Sequence, residues 1–109
     1  MAGLRRLLAM ALAAAGALPC AAAGDAALLA QGRALFNGGA KPACALCHTL
    51  KDAGSEGAVG PVLDELQPDA QRVAKALRDG VGAMPSFAAT LSDEQIEALA
   101  LYVSTVAGR

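Results

Sequence analysis

From Asp25 onward, Leu28, Leu29, Leu35 and Phe36 recur at helical spacing with alanines between them, until Asn37-Gly38-Gly39 stops the pattern. The spacing predicts a first helix over roughly residues 25–37. Near the other end, Ile96, Leu99, Ala100, Val103 and Val106 form one apolar face, with Ser92 placed to cap, Gln95 three residues on, and Leu91 and Ile96 as a hydrophobic staple. That pattern predicts a helix over roughly 93–107. Between them, Asp69 caps a shorter helix whose apolar positions are Val73, Ala76 and Leu77, closed by Gly80. No run alternates apolar with polar, so no strand is expected and the fold class is all-α. The segment 49–68 holds Gly54, Gly57, Gly60, Pro61 and Pro68 without a sustained period. A loop of that length in a small domain is expected to wrap something functional.

The start of the chain follows another logic. Arg5 and Arg6 precede a short apolar run from Leu7 to Leu18, Pro19 breaks it, and Ala21-Ala22-Ala23 offers a small-residue cleavage site. This reads as a secretory signal peptide, residues 1–23, leaving a mature domain at 24–109. Twelve mostly alanine positions fall short of the roughly 20 apolar residues that span a bilayer, so no membrane span is expected after cleavage. Cys20 follows Pro19, unlike a lipoprotein site, and is expected to be removed with the leader. Export places the mature protein in the periplasm.

Composition changes the picture once the leader is set aside. The 55% apolar share of the 109 residues is inflated by the leader. The mature part keeps seven bases against ten acids, a net charge of −3, with two Phe, one Tyr and no Trp. That charge and the absence of basic clusters interleaved with aromatics exclude a nucleic-acid binder. So few large side chains cannot fill the core of a single small domain. The missing component is expected to be a large, flat, apolar ligand.

Cys44-Ala45-Leu46-Cys47-His48 supplies its identity: C-x-x-C-H is the attachment signature of c-type haem. Cysteines three apart on one helical turn can reach two vinyl edges of one porphyrin as thioethers, and His48 can offer an axial imidazole. A redox dithiol would need a βαβ context, a zinc knuckle more Cys or His, and a disulfide across four residues would constrain little. Met84 is the one methionine outside the leader and sits in Gly82-Ala83-Met84-Pro85, a turn that holds its thioether out of a non-helical backbone. Placed there, 36 residues after His48, it is a candidate second axial ligand, and His/Met ligation raises the potential and blocks oxygen binding.

With these motifs, Gly60-Pro61-x-Leu63, Gly32-x-x-x-Phe36 and Leu99-x-x-Tyr102, the chain resembles a class I monohaem c-type cytochrome over essentially all of 25–108. The resemblance implies three main helices and a long loop around one covalent haem. It further implies that the terminal helices cross at Gly32, Phe36 and Tyr102, and that the Pro61 carbonyl accepts a hydrogen bond from the axial histidine. More narrowly, Cys44 through Leu66 and the Met84-Pro85-Ser86-Phe87 turn are similar to the small cytochrome subunits of bacterial sulfite dehydrogenases. That similarity implies a molybdenum-containing sulfite-oxidising donor and a downstream cytochrome or oxidase.

The function expected is therefore electron transfer as a subunit or partner of an oxidoreductase, without catalysis by the chain alone. A freely diffusible periplasmic cytochrome serving another oxidoreductase is the alternative. A haem sensor or peroxidase-like protein would need a distal acid–base group, and no second histidine exists. Docking is expected around the exposed haem edge, at Lys41, Ala43, Ala45 and residues 83–87, with the stripe Arg72, Lys75 and Arg78 as a second candidate surface.

Overall fold

The computed structural model describes Gly16 and residues 20–109, with side chains from Gly24 onward. The leader expected at 1–23 lies outside these residues except for Gly16 and 20–23, the latter being the first residues of helix α1, Cys20–Ala34. Alanine is the strongest helix former, and Ala21-Ala22-Ala23 carries the helix back past the expected start at 25. At its other end α1 widens into a single π turn, Leu35–Gly39, closed by the Ala40 amide donating to the Leu35 carbonyl at 2.9 Å. Gly38 takes φ +155° there, a conformation that ends the helix and suits a residue without Cβ.

The middle helix α3, Ala70–Asp79, and the last helix α4, Asp93–Val106, lie within a residue of their expected bounds. Asp69 accepts from the Arg72 amide at 2.8 Å, and Gly80 closes α3 at φ +72°. Ser92 and Gln95 form the reciprocal capping box at 3.1 and 2.9 Å, with Leu91 and Ile96 both buried beneath it.

The long segment 49–68 has structure of its own, contrary to the absence of strands expected. Thr49–Leu50 (β1) pairs antiparallel with Ser55–Glu56 (β2), Thr49 opposite Glu56 and Leu50 opposite Ser55. A strand of two residues is too short to show an alternating pattern. A one-turn helix α2, Leu63–Leu66, follows and ends on Gln67 in the left-handed conformation.

The terminal helices cross as expected. A Cβ at Gly32 would lie 2.5 Å from the Tyr102 Cβ and run into the Ala98 carbonyl, so only glycine permits this approach of α1 to α4. One turn on, the Phe36 and Tyr102 rings meet edge to face, centroids 6.1 Å apart. Phe36, Leu50, Ile96, Leu99 and Tyr102 are the largest fully buried side chains. No helix among the described residues is long and apolar enough to cross a membrane.

Candidate haem site

A cleft of about 380 Å³ opens beside this core, and Cys44, Cys47, His48, Pro61 and Met84 all line it. Its floor is apolar, built from Phe36, Leu77, Phe87, Leu99 and Val103. Cys44–Leu46 form a 3₁₀ turn, and the Cys47 and His48 amides both donate to the Cys44 carbonyl at 3.1 and 2.9 Å. This turn gathers two thiols and an imidazole within five residues. Both cysteines are free, and burial pushes the Cys44 thiol up to about 11. Among the described residues no three His, Cys, Asp or Glu side chains gather as a metal-binding cluster.

The segment 55–61 wraps the backbone of this turn. Ser55, the buried polar residue of the core, donates its hydroxyl to the His48 carbonyl at 2.9 Å and accepts from the Leu50 amide at 3.0 Å. A Cβ at Gly57 would lie 2.6 Å from the His48 nitrogen, and the Gly60 amide donates to the Cys47 carbonyl at 2.6 Å. The imidazole itself is held by two contacts. His48 Nδ1 donates to the Pro61 carbonyl at 2.7 Å, and Gly60 lies so close that a Cβ would stand 2.5 Å from Cε1. The bond fixes the tautomer and leaves Nε2 unprotonated, its lone pair free to coordinate a metal.

Met84, which also lines the cleft, sits on a turn closed by reciprocal bonds with Val81, 2.9 and 3.0 Å, over Gly82 at φ +55°. The turn packs on the end of α3 so closely that a Cβ at Gly80 would come 2.8 Å from the Met84 carbonyl. A largely apolar cleft lined by two thiols, an imidazole and a thioether fits a haem. Sequence reasoning read Gly60 as part of a motif and missed its steric role.

Residues 27–103 match the family described as cytochrome C oxidase, cbb3-type, subunit III, a span of more than half the chain. The chain belongs to this family of c-type cytochromes. Cytochrome c-551 of Halorhodospira halochloris is 33% identical over 78 residues, covering 70% of this chain and 99% of that one. The crystal structure of the c-type cytochrome SorU from Sinorhizobium meliloti shares 57% identity with a TM-score of 0.75, covering 77% of this chain and 95% of that one. The cytochrome thus carries covalent haem c in the class I fold and serves as a monohaem electron carrier.

Two expectations about its surface change. Phe87, expected at the exposed edge, is only 3% exposed because it packs into the core under the methionine turn. Leu46, Val59 and Val81, at 68%, 76% and 64%, are large apolar side chains exposed around the cleft, with Leu66 less so. The basic stripe is partly neutralised, since Lys75 pairs with Asp79 at 2.8 Å and Arg78 with Asp93 at 3.8 Å.

Proposed function

We propose that Cys44 and Cys47 hold the haem through thioethers, that His48 and Met84 are its axial ligands, and that Pro61 orients His48 through its carbonyl. The observation that carries this reading is the His48–Pro61 bond at 2.7 Å in a cleft that Cys44, Cys47 and Met84 also line. When bound, the haem supplies a one-electron iron couple. The chain's own work is to hold both axial positions, exclude water with the apolar floor, and tune the imidazole as a donor through its hydrogen bond.

The leader 1–23 delivers the mature cytochrome, residues 24–109, to the periplasm. There it acts as the haem subunit or electron acceptor of a sulfite dehydrogenase. Support comes from the similarity of the Cys44–Leu66 run and the Met84–Phe87 turn to such subunits, and from the 57% identity to the c-type cytochrome SorU. Oxidising sulfite to sulfate releases two electrons, so two ferric cytochromes are reduced per sulfite consumed. The donor docks on the exposed edge at Lys41, Leu46, Val81, Ala83 and Pro85, where charge is sparse. Such a contact depends weakly on ionic strength.

Stopped-flow reduction by a molybdenum-containing sulfite-oxidising subunit, with sulfite present, tests the proposal from low to high salt. Fast reduction at a ratio of two, nearly flat with salt, is expected. No reduction rejects the sulfite reading and leaves a carrier for another oxidoreductase. A rate that collapses with salt moves docking to the basic stripe on α3.

A further inference from the structure

The eight residues 80–87 that carry Met84 leave α3 and return to it. Helices end with carbonyls that lack partners within the helix, and here the loop itself supplies partners for three in succession. The Ala76 carbonyl accepts from the Gly80 amide at 2.8 Å, Leu77 from the Phe87 amide at 2.7 Å, and Arg78 from the Ser86 hydroxyl at 2.5 Å. Ser86 Oγ also accepts from the Ala88 amide at 3.2 Å, so its donor and acceptor capacity are both used. Gly80 and Phe87 secure the two ends of the loop. Among the described residues, Ser86 is the side chain whose hydrogen bond ties the segment adjoining Met84-Pro85 to the helix.

We propose that Ser86 is the positioning residue of the sixth iron ligand: its hydroxyl clasps the methionine loop to the end of α3 and limits how often the Met84 thioether leaves the iron. The proposal rests on Met84 being that ligand. Pro85, between the two, has no amide hydrogen and a fixed φ, so displacement at Ser86 is transmitted to Met84 rather than absorbed. Ser86 is exposed, and water competes for the Arg78 carbonyl once the clasp opens. The effect is therefore on the frequency of loop opening, without collapse of the fold.

The test compares wild-type ferric holoprotein with Ser86→Ala and Ser86→Thr, using imidazole as the entering ligand and the long-wavelength thioether-to-iron band as the signal. Ser86→Ala is expected to bind imidazole roughly two- to fivefold more tightly, the factor that losing one solvent-exposed hydrogen bond gives. Ser86→Thr keeps the hydroxyl and is expected to behave as wild type in imidazole affinity and far-ultraviolet denaturation midpoint, while Ser86→Ala should lower that midpoint only by the loss of one hydrogen bond. Equal imidazole affinity in Ser86→Ala and wild type overturns the proposal. So does a threonine variant that binds imidazole as tightly as the alanine variant. If the wild type itself lacks the thioether band, the Met84 assignment is what fails. Should Ser86→Ala not accumulate, hydrogen exchange on the wild-type holoprotein decides: protection of the Phe87 and Ala88 amides equal to that of α3 is expected, and fast exchange at both refutes the clasp.

Discussion

Replacing Gly60 by alanine puts a methyl group where the axial imidazole already lies. The new Cβ would stand 2.5 Å from His48 Cε1, 2.8 Å from Nδ1 and 3.0 Å from Nε2, so the whole ring is in the way. To regain ordinary contact of about 3.5 Å the ring must retreat by roughly 1 Å. Its bond to Pro61 is only 2.7 Å long, and a shift of that size carries it past the limit at which a hydrogen bond still counts. Overpacking typically costs ~1–3 kcal/mol and a lost hydrogen bond ~1 kcal/mol, so Gly60→Ala should destabilise the holoprotein by ~2–4 kcal/mol. It should also raise the reduction potential, because an imidazole without its hydrogen bond donates less to ferric iron. Guanidinium denaturation and spectroelectrochemistry read the two effects separately. Stability within ~0.5 kcal/mol of wild type together with an unchanged potential would refute the claim that this glycine sets the imidazole's position.

Met84→Ala should abolish the long-wavelength ferric band and let carbon monoxide bind the ferrous form; an unchanged band places the ligand elsewhere. Cys47→Ala should lower holoprotein yield and stability severely, because one thioether and its share of the buried haem are lost; a well-folded colourless protein would contradict this. Gly32→Val should separate α1 from α4 and unfold the protein at markedly lower denaturant, read by circular dichroism, with a normal midpoint as the contrary result. Tyr102 is the chain's one tyrosine, and burial, its 2.5 Å bond to Asp52 and that carboxylate's charge raise its pKa well above the usual range. The neutral phenol is the form the fold favours, so this contribution to stability is intact below about pH 10 and is lost as pH climbs toward the higher folded value. Ultraviolet titration should show late ionisation, and Asp52→Asn should bring it earlier.

The parts of this cytochrome that sequence reasoning reached are those specified locally. Asp69, Ser92 with Gln95, and Gly80 announce helix ends because a cap is satisfied within three or four residues. The candidate residues Cys44, Cys47, His48 and Met84 stand out for the same reason: C-x-x-C-H is compact, and Met84-Pro85 is marked by its own turn, whereas Pro61 enters only through the resemblance to c-type cytochromes. What stayed hidden depends on residues distant in the chain or on elements too short to have a period. Asp52 meets Tyr102 across 50 positions, and the β1–β2 pair has two residues a side. Asp64 accepts from the Lys51 amide at 2.8 Å and from the Gly108 amide at 3.0 Å, and no pattern near Asp64 predicts either bond. Ser55 and Ser86 look like ordinary loop serines until the carbonyls they bond, of His48 and Arg78, are seen beside them. Phe87 was misplaced because a residue next to a surface turn can still point into the core.

The meeting of α1 and α4 at Gly32 makes the terminal helices a bracket around everything that touches the cofactor. Once that bracket is shut, the entropy of the enclosed chain grows only with the logarithm of its length, about 0.6 kcal/mol for each doubling. Extra residues at an open turn such as Gly54, where an added Cβ would meet nothing within 4 Å, therefore change the closure of the fold very little. A bracketed fold of this kind can acquire new loops, and with them new docking partners, while the seam and the ligand-bearing turns stay as they are.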